Sequence, residues 1–181
     1  VTDADKIVTP VETVIEPISI NQTYLNYVFP SLIVLIIMFV GILLSSTLIT
    51  MEKNSQASFR NFITPVSNFK KILATYLTSL IILTFQTIVI LIISVYFFKE
   101  EIMSNLGGIS LVFFLISSVF ILLGILIGLV FSSEETGTIA SISLSTLLLV
   151  LSDMILPLES MSGKLLSIVK FNPFVIGNDL M

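Results

Sequence analysis

The chain alternates between long apolar stretches and short polar segments. The apolar stretches cover about residues 27–50, 72–98, 109–131 and 137–156. Each holds roughly 20 or more apolar or small residues, enough for a helix to cross about 30 Å of hydrocarbon. Strands of a membrane barrel would instead alternate apolar and polar residues over about 10 positions. The pattern therefore predicts an all-α, polytopic membrane protein with four transmembrane helices in this chain.

The polar segments predict how these helices are oriented. Residues 51–71 (MEKNSQASFRNFITPVSNFKK) contain four of the eight Lys and Arg residues of the chain. Short loops on the cytoplasmic side of membrane proteins carry an excess of Lys and Arg. We therefore expect residues 51–71 and 132–136 to be cytoplasmic, and residues 1–26, 99–108 and 157–181 to lie on the outer side.

Apolar residues within the 51–71 loop follow the spacing of a short helix. Phe59, Phe62 and Ile63 fall at positions i, i+3 and i+4, which places them on one helical face. Thr64 precedes Pro65, and a residue before proline disfavours helix, so the helix is expected to end there. The face suits an interfacial helix that lies on the lipid surface. It equally suits a coupling helix that inserts into a groove on a cytosolic partner.

Composition excludes several classes of function. Of 181 residues, 55% are hydrophobic and 11% are charged, about half the charged fraction of ordinary soluble domains. Cys and His are absent, which removes disulfides, thiolate metal sites and the commonest general base. No basic run suits a nucleic acid. We therefore expect neither an enzyme nor a metal site nor a nucleic-acid-binding protein.

Small and polar residues inside the predicted spans are candidates for helix contacts. Gly124 and Gly128 form a small-xxx-small pattern in the third span, and Ser141 and Ser145 form another in the fourth. Such patterns let two helices approach closely. Gln86 is the amide at mid-depth in the second span. Packing within one subunit and contact with a second copy or a substrate both remain open for these residues.

The outer part of the chain begins near the end of the fourth span. Asp153 lies there, where a charge facing lipid would be costly. It is expected to reach outer water or to pair with a lysine. Residues 157–181 are too interrupted to cross the bilayer. They are expected to form short re-entrant helices that dip into the outer leaflet.

Two motifs in register with the spans carry a family resemblance. The first comprises Glu52, the short helix SQASFRNFI, the element Thr64-Pro65-Val66-Ser67, and Lys70-Lys71. The second comprises Leu151-Ser152-Asp153, then Pro157, then Asn172-Pro173. With these motifs the chain resembles the permease subunits of type-two ABC transporters from about Tyr24 to Asn178. It departs from the family pattern at Lys53-Asn54-Ser55, at Asp153 and at Ser162.

The resemblance implies a permease subunit of an ATP-driven exporter that moves an unidentified substrate outward. The chain lacks the Gly-rich phosphate loop, so ATP and Mg are expected on a separate ABC ATPase subunit, with no cofactor bound by this chain. A second permease copy, identical or different, would pair with it in the membrane lipid of a prokaryotic plasma membrane. The full protein would have six spans, with this chain covering spans two to five and the end of an external region at residues 1–26.

The residues implied in coupling to the ATPase are Glu52, Phe59, Arg60, Phe62, Ile63, Thr64 and Pro65. Those implied in the outer gate or re-entrant segment are Ser152, Asp153, Pro157, Asn172 and Pro173.

Two other functions remain open. A non-transporting membrane anchor or assembly protein would use the 51–71 loop to bind the lipid surface. A secondary transporter or channel normally needs charged or discontinuous helices near the middle of the membrane. The predicted spans carry no charge near their centres, which disfavours the second alternative.

Overall fold

The computed structural model describes residues 24–55, 67–97, 106–152, 154–155 and 169–180. Within these ranges the chain forms the helices α1 (Tyr24–Asn54), α2 (Asn68–Phe97), α3 (Leu106–Val130), α4 (Glu134–Val150) and the short α5 (Pro173–Asp179). No β-strand occurs in these ranges. The predicted all-α fold is confirmed.

Three of the described helices are long and apolar enough to cross a membrane. Their membrane-compatible parts are Val28–Asn54, Asn68–Ile93 and Ser110–Val130. Pro30 lies inside α1, in its second turn. Apolar side chains cover nearly all faces of these helices, as expected of segments surrounded by lipid and by one another. The chain is a polytopic helical membrane protein.

Helix α4 differs from the predicted fourth span. It has 17 residues and ends at Val150, whereas the apolar pattern predicted a span of 137–156. A helix of that length rises about 26 Å, less than the hydrocarbon thickness. Side chains bind its last carbonyls: the Ser152 hydroxyl donates to the Leu149 carbonyl, and the Asn172 amide donates to those of Leu148 and Leu151. Because these carbonyls have partners outside the helix, the helix can stop before the apolar run does.

Helix α1 lies at the centre of the bundle and contacts α2, α3, α4 and α5. Its contacts with α3 are the most extensive. Gly124 of α3 faces Ile42 of α1, and Gly128 faces Ile49, so the two helices run in parallel. The main core cluster comprises Ile33, Val34, Ile37, Met38, Ile42, Phe113, Ile116, Phe120 and Phe174.

Helix α2 lies at the edge of the described bundle. In its most apolar window 17% of the residues are buried, against 50% in α1. Ile81, Phe85 and Ile92 are among the large apolar side chains that it leaves exposed. A surface of this kind is stable when it faces lipid tails or further transmembrane helices rather than water.

Candidate functional site

The end of the bundle that carries the 51–71 loop is the first candidate site, and we call it the loop end. Helix α1 continues past the predicted span limit of residue 50 to Asn54. Glu52, implied in coupling, therefore lies half-buried in the last turn of α1. At the start of the next helix, which begins at Asn68, the amides of Lys70 and Lys71 donate to the Ser67 carbonyl.

Lys53 and Asn54 join the end of α1 to the turn between α3 and α4. The Lys53 Nζ donates to the carbonyls of Gly128 and Leu129, each at 2.6 Å, and to that of Phe131 at 3.3 Å. The Asn54 amide donates to the Ser132 carbonyl at 3.0 Å. A lysine beside the last carbonyls of a helix is favourable, because those groups have no partner within the helix and carry partial negative charge.

The same turn starts α4 with a side-chain cap. The Ser133 Oγ accepts a hydrogen bond from the Thr136 amide at 3.2 Å, and Glu134 and Glu135 occupy the first turn of the helix. Acidic residues there are favoured by the helix dipole. The ends of α1 and α3 and the start of α4 therefore form one hydrogen-bonded unit at the loop end.

The opposite end of the bundle, which we call the far end, is closed by α5. Asn172 is the N-cap of this helix, with its side-chain oxygen accepting from the Phe174 amide at 3.0 Å, and Pro173 is the first helical residue. The Ser31 hydroxyl donates to the Asn178 side-chain oxygen at 2.6 Å. The Gly177 backbone lies against Val34 and Ile116. Helix α5 is thus packed against α1, α3 and α4.

Asn172 holds α5 to α4 through both polar atoms of its side-chain amide. The amide nitrogen donates to the Leu148 carbonyl at 2.7 Å and to the Leu151 carbonyl at 3.0 Å, while the oxygen caps α5. Replacing Asn172 by Leu removes the cap and takes this donor from the part-buried carbonyls of Leu148 and Leu151. We expect the docking of α5 to weaken by about 2 kcal/mol or more.

Thiol labelling measures this docking. Val175 is buried and Phe171 is 84% exposed, so a water-soluble maleimide should label Val175→Cys slowly and Phe171→Cys rapidly. Asn172→Leu should accelerate the labelling of position 175 and leave the labelling rate of position 171 unchanged. Asn172→Ser keeps a cap but does not reach α4, so its labelling rate at position 175 should lie between those of the unsubstituted protein and Asn172→Leu. Equal protection of position 175 in all three proteins would show that Asn172 does not hold α5.

The two glycines predicted for helix contacts, Gly124 and Gly128, face α1. A Cβ atom added to Gly128 would lie 2.7 Å from the Ile49 Cβ and 2.8 Å from the Ser46 carbonyl oxygen. One added to Gly124 would overlap the backbone of Ile42. On α4, Gly137, Ser141 and Ser145 form the buried face, with Gly137 against Thr50 and Ser46. These glycines and serines thus allow close packing within one subunit.

Polar side chains inside the bundle are mostly hydroxyls. The Ser141 Oγ donates to the Gly137 carbonyl at 2.8 Å, and the Tyr76 hydroxyl pairs with the Ser118 Oγ at 2.7 Å. The buried hydroxyls of Ser46, Ser79 and Ser145 have no hydrogen-bond partner among the described residues. Gln86 is half-buried on α2. Uncharged groups of this kind are tolerated inside a membrane protein at modest cost.

Several predicted site residues lie outside the described residues. They are Phe59, Arg60, Phe62, Ile63, Thr64 and Pro65 of the loop, and Asp153 and Pro157 of the outer segment. Ser152 is described and fully buried, and its hydroxyl accepts from the Met154 amide at 3.3 Å.

Sequence reasoning did not single out Lys53, Asn54 and Ser133. Lys53 and Asn54 were noted only as departures from the family pattern, yet their side chains hold the turn between α3 and α4. A signal for Ser133 was present, because Ser followed by two acidic residues is typical of a helix start. For Lys53 the signal was weaker, since a lysine at a helix end has many possible partners.

Comparison with known proteins identifies the family. Residues 5–181 match the family model described as ABC-2 family transporter protein. No curated protein and no solved structure matches the chain significantly. The match covers nearly the whole chain and agrees with the bundle of apolar helices. The chain therefore belongs to the ABC-2 family of transporter proteins and is a membrane subunit of an ABC transporter.

Proposed function

We propose that this subunit exports its substrate with energy from an ABC ATPase that docks on the 51–71 loop. The ATPase binds ATP and Mg, and this chain supplies the path through the membrane. The loop lies in the cytoplasm of a prokaryotic cell, and the membrane is the plasma membrane. The substrate moves from the loop end to the far end.

The observation that supports this proposal best is the construction of the loop end. A docking loop transmits movement when its base is fixed to the helices that must move, because packed elements shift as units. The last turn of α1 leads into the loop, and Lys53 and Asn54 bind it to the turn between α3 and α4. Force on the loop is thereby passed to α1, α3 and α4 together. An anchor on the lipid surface would not need this connection.

The far end supports a second part of the proposal. Helix α5 closes the bundle through Asn172 and through the contact of Ser31 with Asn178. A helix of seven residues, held by a few polar contacts and by the packing of Phe174, is able to move as an outer gate when the spans shift. A second copy of the permease completes the path, and the exposed surface of α2 leaves room for lipid and further helices.

Site-specific crosslinking from the loop tests the proposal. In membranes that contain the full protein and its cellular partners, a crosslinker at position 59, 60 or 62 is expected to capture a nucleotide-binding subunit. Labelling by lipid probes alone would favour the membrane anchor. Labelling from the outer side alone would overturn the orientation of the loop.

A further inference from the structure

The Lys53 side chain reaches the end of a helix that is distant in sequence. Of the last four carbonyls of α3, that of Ile127 accepts from the Phe131 amide, whereas those of Gly128 and Leu129 are bound by Lys53. The carbonyl of Phe131 is the third acceptor. Lysine has three donors on one nitrogen, and here three carbonyls converge on them. Lys53 thus takes the place of the backbone partners that the end of α3 lacks.

Gly128 makes this contact possible. Because it has no side chain, the Ser46 carbonyl and the Ile49 Cβ of α1 lie directly against α3. Lys53 is one turn beyond Ile49 on the same face of α1. The close approach that Gly128 allows therefore brings the Lys53 nitrogen within 2.6 Å of the Gly128 carbonyl.

We propose that Lys53 is a positioning residue that makes the base of the docking loop and the turn between α3 and α4 move as one body during the ATP cycle. The role in the cycle rests on the proposed function of the loop. Asn54 adds a second connection to the same turn, and Ser133 ties that turn to the start of α4. Without Lys53, the side-chain connection from the end of α1 to this turn is reduced to the Asn54 hydrogen bond, so a movement of the loop is passed to α3 and α4 less completely.

The matched replacements are Lys53→Met, which keeps the length but removes the donors, and Lys53→Arg, which keeps charge and donors. The control is Lys70→Met, which removes an exposed positive charge from the other end of the same loop. Spin labels at Ser55→Cys and Glu135→Cys report the separation of the two parts by dipolar EPR. The 181 residues contain no cysteine, so within them the labels attach at these two positions alone.

In the full protein with its ATPase and with Lys53 in place, we expect the distance between the labels at positions 55 and 135 to be the same without nucleotide and after trapping with ATP and vanadate. In Lys53→Met it should change between these states by about 2 Å or more, the scale of helix shifts in switching proteins. In Lys53→Met the stimulation of ATP hydrolysis should decrease by a factor of about two to thirty. Lys53→Arg should restore both, and Lys70→Met should leave the separation constant across the nucleotide states.

Two results would overturn the inference. One is a separation in Lys53→Met that stays constant across the nucleotide states, as it would if Lys53 merely added stability. The other is a distance between the labels that changes with nucleotide in the protein that keeps Lys53. The contact of Lys53 with the end of α3 would then open during the cycle. Failure of the proposed function looks different. Crosslinking from position 59 would capture no ATPase. The distribution of distances between the two labels without nucleotide would still be broader in Lys53→Met than in Lys70→Met.

Discussion

Gly128→Leu is expected to prevent the protein from accumulating in the membrane, whereas Gly107→Leu is expected to be tolerated. At Gly128 even a Cβ atom would lie within 3 Å of the Ser46 carbonyl oxygen and of the Ile49 Cβ. Backbone atoms in a helix cannot move aside as a flexible side chain can. Around Gly107 no atom of the other described residues lies within 4 Å of the added position, leaving aside the adjacent residues and the backbone of the same helix, and the residue is exposed at the start of α3.

The expected cost at Gly128 is at least about 3 kcal/mol, the upper end of typical overpacking, because two helix backbones must separate. Gly124→Leu should behave in the same way, since it meets the backbone of Ile42. The measurement is the amount of each variant in isolated membranes, followed by its thermal stability in detergent. Normal accumulation and stability of Gly128→Leu would show that α1 and α3 do not pack as described.

Replacing both Phe59 and Phe62 with Asp is expected to abolish the stimulation of the partner ATPase while leaving the permease inserted. These residues lie outside the described part of the chain, so the expectation rests on their spacing. Aromatic residues at the centre of an interface often contribute about 2 kcal/mol or more each. Losing both, and burying two carboxylates, should weaken docking about a thousandfold.

Phe59→Leu together with Phe62→Leu is the matched control, because it keeps the apolar face and adds no charge. The rate of ATP hydrolysis by the assembled complex is the measured quantity, together with the amount of permease in the membrane. Stimulation that is equal in the Asp and the Leu variants would count heavily against docking through this face.

Much of the fold could be predicted from the sequence because it depends on local patterns. Unbroken apolar runs are sufficient to place α1, α2 and α3 in a membrane. The limits of the helices were less predictable. Helix α1 continues to Asn54 because its last polar residues have partners on α3 and in the turn that follows it. Helix α4 ends at Val150 because Asn172 binds carbonyls at its end.

The candidate site was harder to predict because its contacts join residues that are distant along the chain. Lys53 and Gly128 are 75 positions apart, and Ser31 and Asn178 are 147 apart. Periodicity within a segment carries no information about such pairs. Gly124 and Gly128 were identifiable as packing residues from their spacing, but the partner helix became clear only from the structure.

The central claim is that the 51–71 loop docks an ATPase, and a site-specific crosslink tests it most directly. Phe59→Cys or Phe62→Cys is introduced into the full protein; the 181 residues contain no cysteine of their own. A crosslinker is then activated in membranes with the cellular partners present. Phe171→Cys, exposed at the far end, is the control position. We predict capture of a nucleotide-binding subunit from positions 59 and 62 and none from position 171. Crosslinks to lipid alone, or capture of the same subunit from position 171, would contradict the account.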